Sequence, residues 1–165
     1  MIKIYFDLDG TLFDLYGKEN WLDMLRNEEA GAFCDGDVMP ELKRRWFDFK
    51  KLCSILMEKG VQFGVISWLP SQCSDEYAEI CRQEKLNWIY ENIPFVIEKN
   101  IVPYGTIKQD AIQKHAQTEI LLDDNPEICY AWETKEKRVA CNIRFDYTAY
   151  DALKDIYDEY FGEEE

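Results

Sequence analysis

Ile2-Lys3-Ile4-Tyr5-Phe6-Asp7-Leu8-Asp9-Gly10-Thr11 joins an apolar run to two carboxylates spaced two positions apart. The β-branched and aromatic content of residues 2–6 predicts a strand, and Gly10 lets the chain leave it at a φ that side chains avoid. Asp7 and Asp9 are therefore expected at a strand's C-terminal end, the edge at which open α/β sheets bind ligands. Neighbouring carboxylates repel unless a cation or a shared proton relieves them. Mg²⁺ takes oxygen ligands, commonly one or two carboxylates plus substrate phosphate oxygens, so the pair reads as a metal-and-phosphate site. An acidic turn capping a helix would explain one Asp and the Gly, but not a pair placed after an apolar strand.

Outward from this stretch, strand and helix patterns alternate, which predicts a three-layer, Rossmann-like parallel sheet with helices on both faces. Pro40 opens a helical pattern through Leu42, Trp46, Phe49, Leu52, Cys53, Leu56 and Met57, closed by Gly60. Val61–Ile66 reads as the second strand, ending at Ser67, and a helix is expected from about Ser74 to Asn92. Pro94–Ile97 is the expected third strand. After the turn around Pro103-Tyr104-Gly105, a helix carrying Ile107, Ala111, Ile112 and Ala116 is expected, with Lys108 in its first turn. A cation there opposes the helix dipole, a cost that makes sense beside an anion. The fourth strand, Glu119–Leu122, again ends in an acidic pair, Asp123-Asp124, before Pro126 opens the next helix. Arg138–Ile143 supplies a fifth strand, residues 149–161 a closing amphipathic helix, and Glu163–Glu165 a solvated end.

A chain of 165 residues, 47% hydrophobic and 15% aromatic, suits one domain with a substantial core. With 33 acidic against 19 basic residues, the net charge of −14 argues against nucleic acid as a partner. The densest basic stretch, Lys43-Arg44-Arg45 with Lys50-Lys51, reads as a solvated helix face. The six cysteines form no Cys-x-x-Cys pair and look like core thiols. No apolar run approaches the roughly 20 residues that cross a bilayer, and no signal-like segment precedes the first strand. A cytoplasmic location without a membrane partner is the expectation. The single histidine, His115, has neither zinc-ligand spacing nor a serine-nucleophile motif near it.

Residue for residue, Asp7-Leu8-Asp9-Gly10-Thr11-Leu12-Phe13-Asp14 resembles the first signature of the haloacid dehalogenase-like hydrolase superfamily. Ser67 after the second strand, Lys108 near a helix start and Asp123-Asp124 after the fourth strand resemble its other signatures, so the resemblance covers about residues 2 to 145. Lys99 is a rival for the lysine role but precedes the Pro103–Gly105 turn. Receiver domains also gather acidic residues and a lysine at strand ends. They place an adjacent acidic pair first and a lone aspartate after the third strand, opposite to the order here.

The resemblance implies a Mg²⁺-dependent phosphomonoesterase acting on a small phosphorylated metabolite or nucleotide through an aspartyl-phosphate. Asp7 would be the nucleophile, Asp9 the general acid and base, Ser67 a hydrogen-bond donor to a phosphoryl oxygen, and Lys108 the partner of phosphate and Asp7. The metal would be held by Asp7, the main-chain carbonyl of Asp9 and Asp123, with Asp124 orienting a metal-bound water or the Lys108 ammonium. Dehalogenation ranks low, because dehalogenases do not need the metal-binding aspartates. A non-catalytic phosphate-binding or protein-interaction module on the same scaffold is the alternative. Residues 15–39, with Trp21, Leu22, Met24 and Leu25 in helical spacing, make a small cap-like insertion rather than a full cap domain. Such an open site implies either a larger substrate or a cover borrowed from a second subunit in a homodimer. Trp68 and Tyr104 flank the expected site, either to stack on a substrate ring or as core or rim aromatics.

Overall fold

A computed structural model describes residues 1–135 and 137–162; the acidic tail at 163–165 lies outside the described residues. Strand β1 spans Ile2–Phe6, and the insertion after it carries one six-residue helix, α1 (Trp21–Arg26). Helices α2 (Pro40–Lys43) and α3 (Trp46–Glu58) lead to β2 (Gln62–Trp68). Helix α4 (Asp75–Asn92) leads to β3 (Glu98–Val102), and a 3-10 turn at Lys108–Ala111 precedes β4 (Thr118–Asp123). Helix α5 (Pro126–Glu133), strand β5 (Arg138–Asn142) and helix α6 (Ala149–Phe161) complete the chain.

Among the described residues, five strands form one parallel sheet in the order β3-β2-β1-β4-β5. Period-2 alternation along β1 separates two cores. Ile4 and Phe6 join a large cluster with Phe49 and Leu56 of α3, Cys81 and Ile89 of α4, and Leu153 and Ile156 of α6. Tyr5 points to the other face, with Ile66, Ile112, Leu121 and Trp132 of α5. Helices thus cover both faces of a parallel sheet, as the sequence predicts. The insertion at 15–39 forms α1 and a loop; no separate cap domain is built there.

Three elements differ from the sequence expectations. The apolar Pro94–Ile97 is not a strand: Val96 N donates to Ile93 O in a turn, and Phe95 packs edge-on against Phe63 with ring centroids 5.5 Å apart. The ladder begins at Glu98, on a polar edge strand that the hydrophobic pattern conceals. The expected helix around 107–116 is only the 3-10 turn, because side chains claim the backbone beyond it. Lys114 O accepts from buried Lys3 at 2.7 Å, and Ala116 N donates to Glu119 Oε1 at 2.9 Å. The helix expected from Pro40 is broken at Arg45, whose guanidinium bonds Asp48 Oδ2 at 3.0 Å and lies over the Tyr150 ring at 4.4 Å.

Candidate active site

From β1 the chain moves outward through β2 and β3, then crosses back to β4 on the other side of β1. Sheets that reverse direction open a crevice at the carboxyl ends of the strands on either side of the reversal. Asp7 follows β1, Asp123 ends β4, and Asp7 N donates to Leu122 O at 2.9 Å, so the two chain segments are fixed in register. Beyond Asp7, the N–H groups of Thr11, Leu12 and Phe13 all converge on Leu8 O at 2.9–3.1 Å. Gly10 holds φ +83°, where a Cβ would lie 2.4 Å from Asp124 Oδ2. Glycine therefore serves twice here, for the turn itself and for the approach of Asp124.

Lys108 Nζ is buried and sits 2.7 Å from Asp7 Oδ1 and 2.6 Å from Asp123 Oδ2. The other oxygen of Asp123 accepts from Asn125 N at 2.9 Å, while the Asn125 side chain caps α5 by accepting from Glu127 N. Asn142 Nδ2 donates to the carbonyls of Asp123 and Asp124, closing the turn from the β5 side. The rival Lys99 points elsewhere: its ammonium bonds Val96 O and lies over Tyr90.

A second lysine, which the sequence reading missed, completes the site. Lys85 of α4 is almost fully buried, with its ammonium 2.7 Å from Asp9 Oδ2, 2.9 Å from Ser67 Oγ and 2.7 Å from Trp68 O. Ser67 is entirely buried, its hydroxyl engaged with Lys85, and it does not line the cleft above the aspartates. The missed signal lay in spacing. Tyr77, Cys81 and Trp88 mark the buried stripe of α4, and Glu84 and Lys85 fall on the same stripe between Cys81 and Trp88. Charged residues on an apolar stripe are buried for a partner. Glu84 finds its own in the backbone N–H groups of Gly31 and Phe33, tying the insertion to α4.

Burial dominates the electrostatics. It raises the Asp9 carboxyl above its ordinary range, with Asp7 adding to the rise and Lys85 opposing it. Asp124 is pushed up to about 7 by burial, then by Asp7 and Asp123. Asp123 is raised by burial and Asp7 against the pull of Lys108. The Lys108 ammonium is itself held charged well above the usual lysine range: its two carboxylate partners outweigh the cost of its burial. Four carboxylates (Asp7, Asp9, Asp123, Asp124) face two ammonium groups (Lys85, Lys108), a formal excess of two negative charges when all are ionised.

Carboxylate oxygens of Asp7, Asp123 and Asp124 lie within 4.8 Å of one another, an all-oxygen donor set suited to a hard divalent cation. Asp9 Oδ1, in the residue that lines the same cleft, is buried without a protein hydrogen-bond partner. The residues present therefore fit a divalent cation in charge, in donor type and in spacing. No family model matches this chain, and no curated protein matches it. Among the described residues, no helix is long and apolar enough to cross a membrane.

Proposed function

We propose that the chain is a Mg²⁺-dependent phosphomonoesterase of the haloacid dehalogenase-like type, with Asp7 as nucleophile. The observation that carries this reading is the convergence of Asp7, Asp123 and Asp124 around one point, with Lys108 bridging Asp7 and Asp123. Asp7 keeps one oxygen on Lys108, which orients the carboxylate and leaves the second oxygen to attack phosphorus. In that step the Asp7 O–P bond forms and the bond from phosphorus to the leaving oxygen breaks. Asp9 gives its proton to the departing alkoxide, a role suited to a carboxyl raised by burial. In the second step Asp9 takes a proton from water, whose oxygen attacks the aspartyl-phosphate and releases inorganic phosphate. Lys108 stabilises charge on the phosphoryl oxygens, and Lys85 fixes Asp9 by holding its other oxygen. A divalent cation held by Asp7, Asp123, Asp124 and the main-chain carbonyl of Asp9 would neutralise further phosphoryl charge, most of what this reaction demands.

Asp7→Asn keeps the shape of the site and removes the nucleophile. Phosphate release from phosphomonoesters with Mg²⁺ is expected to fall by at least about a thousandfold, and undiminished turnover would refute the assignment. Mg²⁺-dependent binding of inorganic phosphate by a wild-type protein that hydrolyses no ester would favour the non-catalytic module instead.

A further inference from the structure

The cleft above the aspartates has a volume of about 670 Å³, far more than a phosphate fills. Two aromatic pairs stand among its lining residues. Trp68 and Tyr104 stand on the sheet side, with ring centroids 4.9 Å apart at 60°; Tyr16 and Trp21 stand on the insertion side, 5.0 Å apart at 80°. In such edge-to-face pairs the ring that offers its edge keeps both faces free for a third ring. Tyr16 is 52% exposed and Tyr104 61%, so large apolar surface lines the cleft uncovered. The sheet-side pair also belongs to the reacting end. Trp68 Nε1 donates to Thr106 O at 2.9 Å, which fixes the indole, and the Lys108 ammonium lies 5.7 Å from the ring centroid. A phosphate seated at Asp7 and Lys108 therefore places the first groups beyond its ester oxygen beside Trp68.

We infer that the cleft selects monophosphate esters whose alcohol carries a planar aromatic ring, held between the Trp68–Tyr104 and Tyr16–Trp21 pairs, over ring-free esters. Nucleoside monophosphates and aryl phosphates share this chemistry. The inference rests on the phosphomonoesterase reading for the phosphate's seat, and its test separates the two.

Binding is measured by calorimetry on the wild-type chain with Mg²⁺, comparing benzylphosphonate with ethylphosphonate, which carry the same non-hydrolysable head. Stacking on one aromatic side chain is worth roughly 5- to 150-fold, so the ring-bearing ligand is expected to bind about tenfold tighter or more. Trp21→Ala and Tyr104→Ala are each expected to shrink that ratio. Equal affinities, no detectable binding of either ligand, or a ratio unmoved by both substitutions would overturn the inference whatever the chain hydrolyses. In parallel, phosphate release is compared for adenosine 5′-monophosphate, phosphotyrosine and ribose 5-phosphate. The inference expects kcat/KM for one or both ring-bearing monophosphates to exceed that for ribose 5-phosphate about tenfold. The first two esters distinguish a nucleotide from an aryl substrate. Turnover of ribose 5-phosphate as fast as both refutes ring selection while leaving the phosphatase reading intact. Ring-selective phosphonate binding without hydrolysis of any ester supports ring selection and refutes the phosphatase reading.

Discussion

Replacing Lys85 by methionine removes the ammonium from between Asp9, Ser67 and the Trp68 carbonyl while keeping most of the stem's volume beside Phe33. Breaking one partner of a buried ion pair costs about 3–5 kcal/mol, because the other charge is left unpaired. Asp9 retains some access to the cleft, so Lys85→Met is expected near the lower end, about 3 kcal/mol by urea unfolding. Adding Asp9→Asn should recover part of the loss, since the stranded charge is then gone. A single-mutant cost below about 1 kcal/mol would show that the pair is not held as described. At this scale the sequence was readable where chemistry is local. Asp7-x-Asp9 and Asp123-Asp124 each announce themselves beside an apolar strand, and Asp7 does meet Asp123 and Asp124. Lys85 was obscured by its charged neighbours Arg82 and Glu84, although the stripe it shares with Cys81 and Trp88 held the information. Ser67 was legible as a strand-end residue, but its orientation depends on that same unseen lysine.

Helix α4 carries Lys85 to Asp9 and Ser67, so its N-terminus matters beyond the first turn. Ser74 caps it by accepting from Tyr77 N at 3.2 Å, while its own N–H and hydroxyl both donate to Glu28 at 2.7 Å. Ser74→Ala is expected to cost about 1–2 kcal/mol, toward the upper end because the Glu28 hydroxyl contact goes as well. The check is a lower denaturation midpoint with an unchanged m-value; a shift worth under about 0.3 kcal/mol would contradict it. Elements were legible where apolar residues recurred at helical spacing, as in α4 and α6. They were misread where tertiary partners overrode local pattern. The polar edge strand β3 places Glu98 where it accepts from Lys3 and Tyr5, so its pattern follows buried side-chain pairs rather than hydrophobic alternation. Residues 114–116 lose the helix to Lys3 and Glu119 in the same way.

For the molecule as a whole, alternation of strand and helix was enough to predict a parallel sheet covered on both faces, because β4 and the inner strands are apolar on both sides. The reversal at β1, which turns separate acidic turns into one site, is a long-range pairing that no local pattern encodes. That convergence has a pH signature. In the folded, metal-free chain Asp124 is raised to about 7, and Asp123 is raised as well, whereas both have ordinary carboxylate values when unfolded. A raised carboxyl makes the folded state bind the extra proton, so its contribution to stability is complete below about pH 4 and is lost as pH rises through about 7. Glu119 works in the opposite sense. Hydrogen bonds from Ala116 N, Arg138 and His115 outweigh its burial and lower it, so its contribution is present above the ordinary glutamate range and is lost in acid. Metal-free protein is thus expected to show its highest melting temperature in mildly acidic solution and to lose stability toward pH 8. A divalent cation competes with those same protons for Asp123 and Asp124. Millimolar Mg²⁺ should therefore raise the melting temperature clearly at pH 8 and hardly at pH 5, and chelation should reverse the gain. A Mg²⁺ shift of equal size at both values would mean that the cation binds away from these aspartates, and Asp123→Asn would then leave that shift in place.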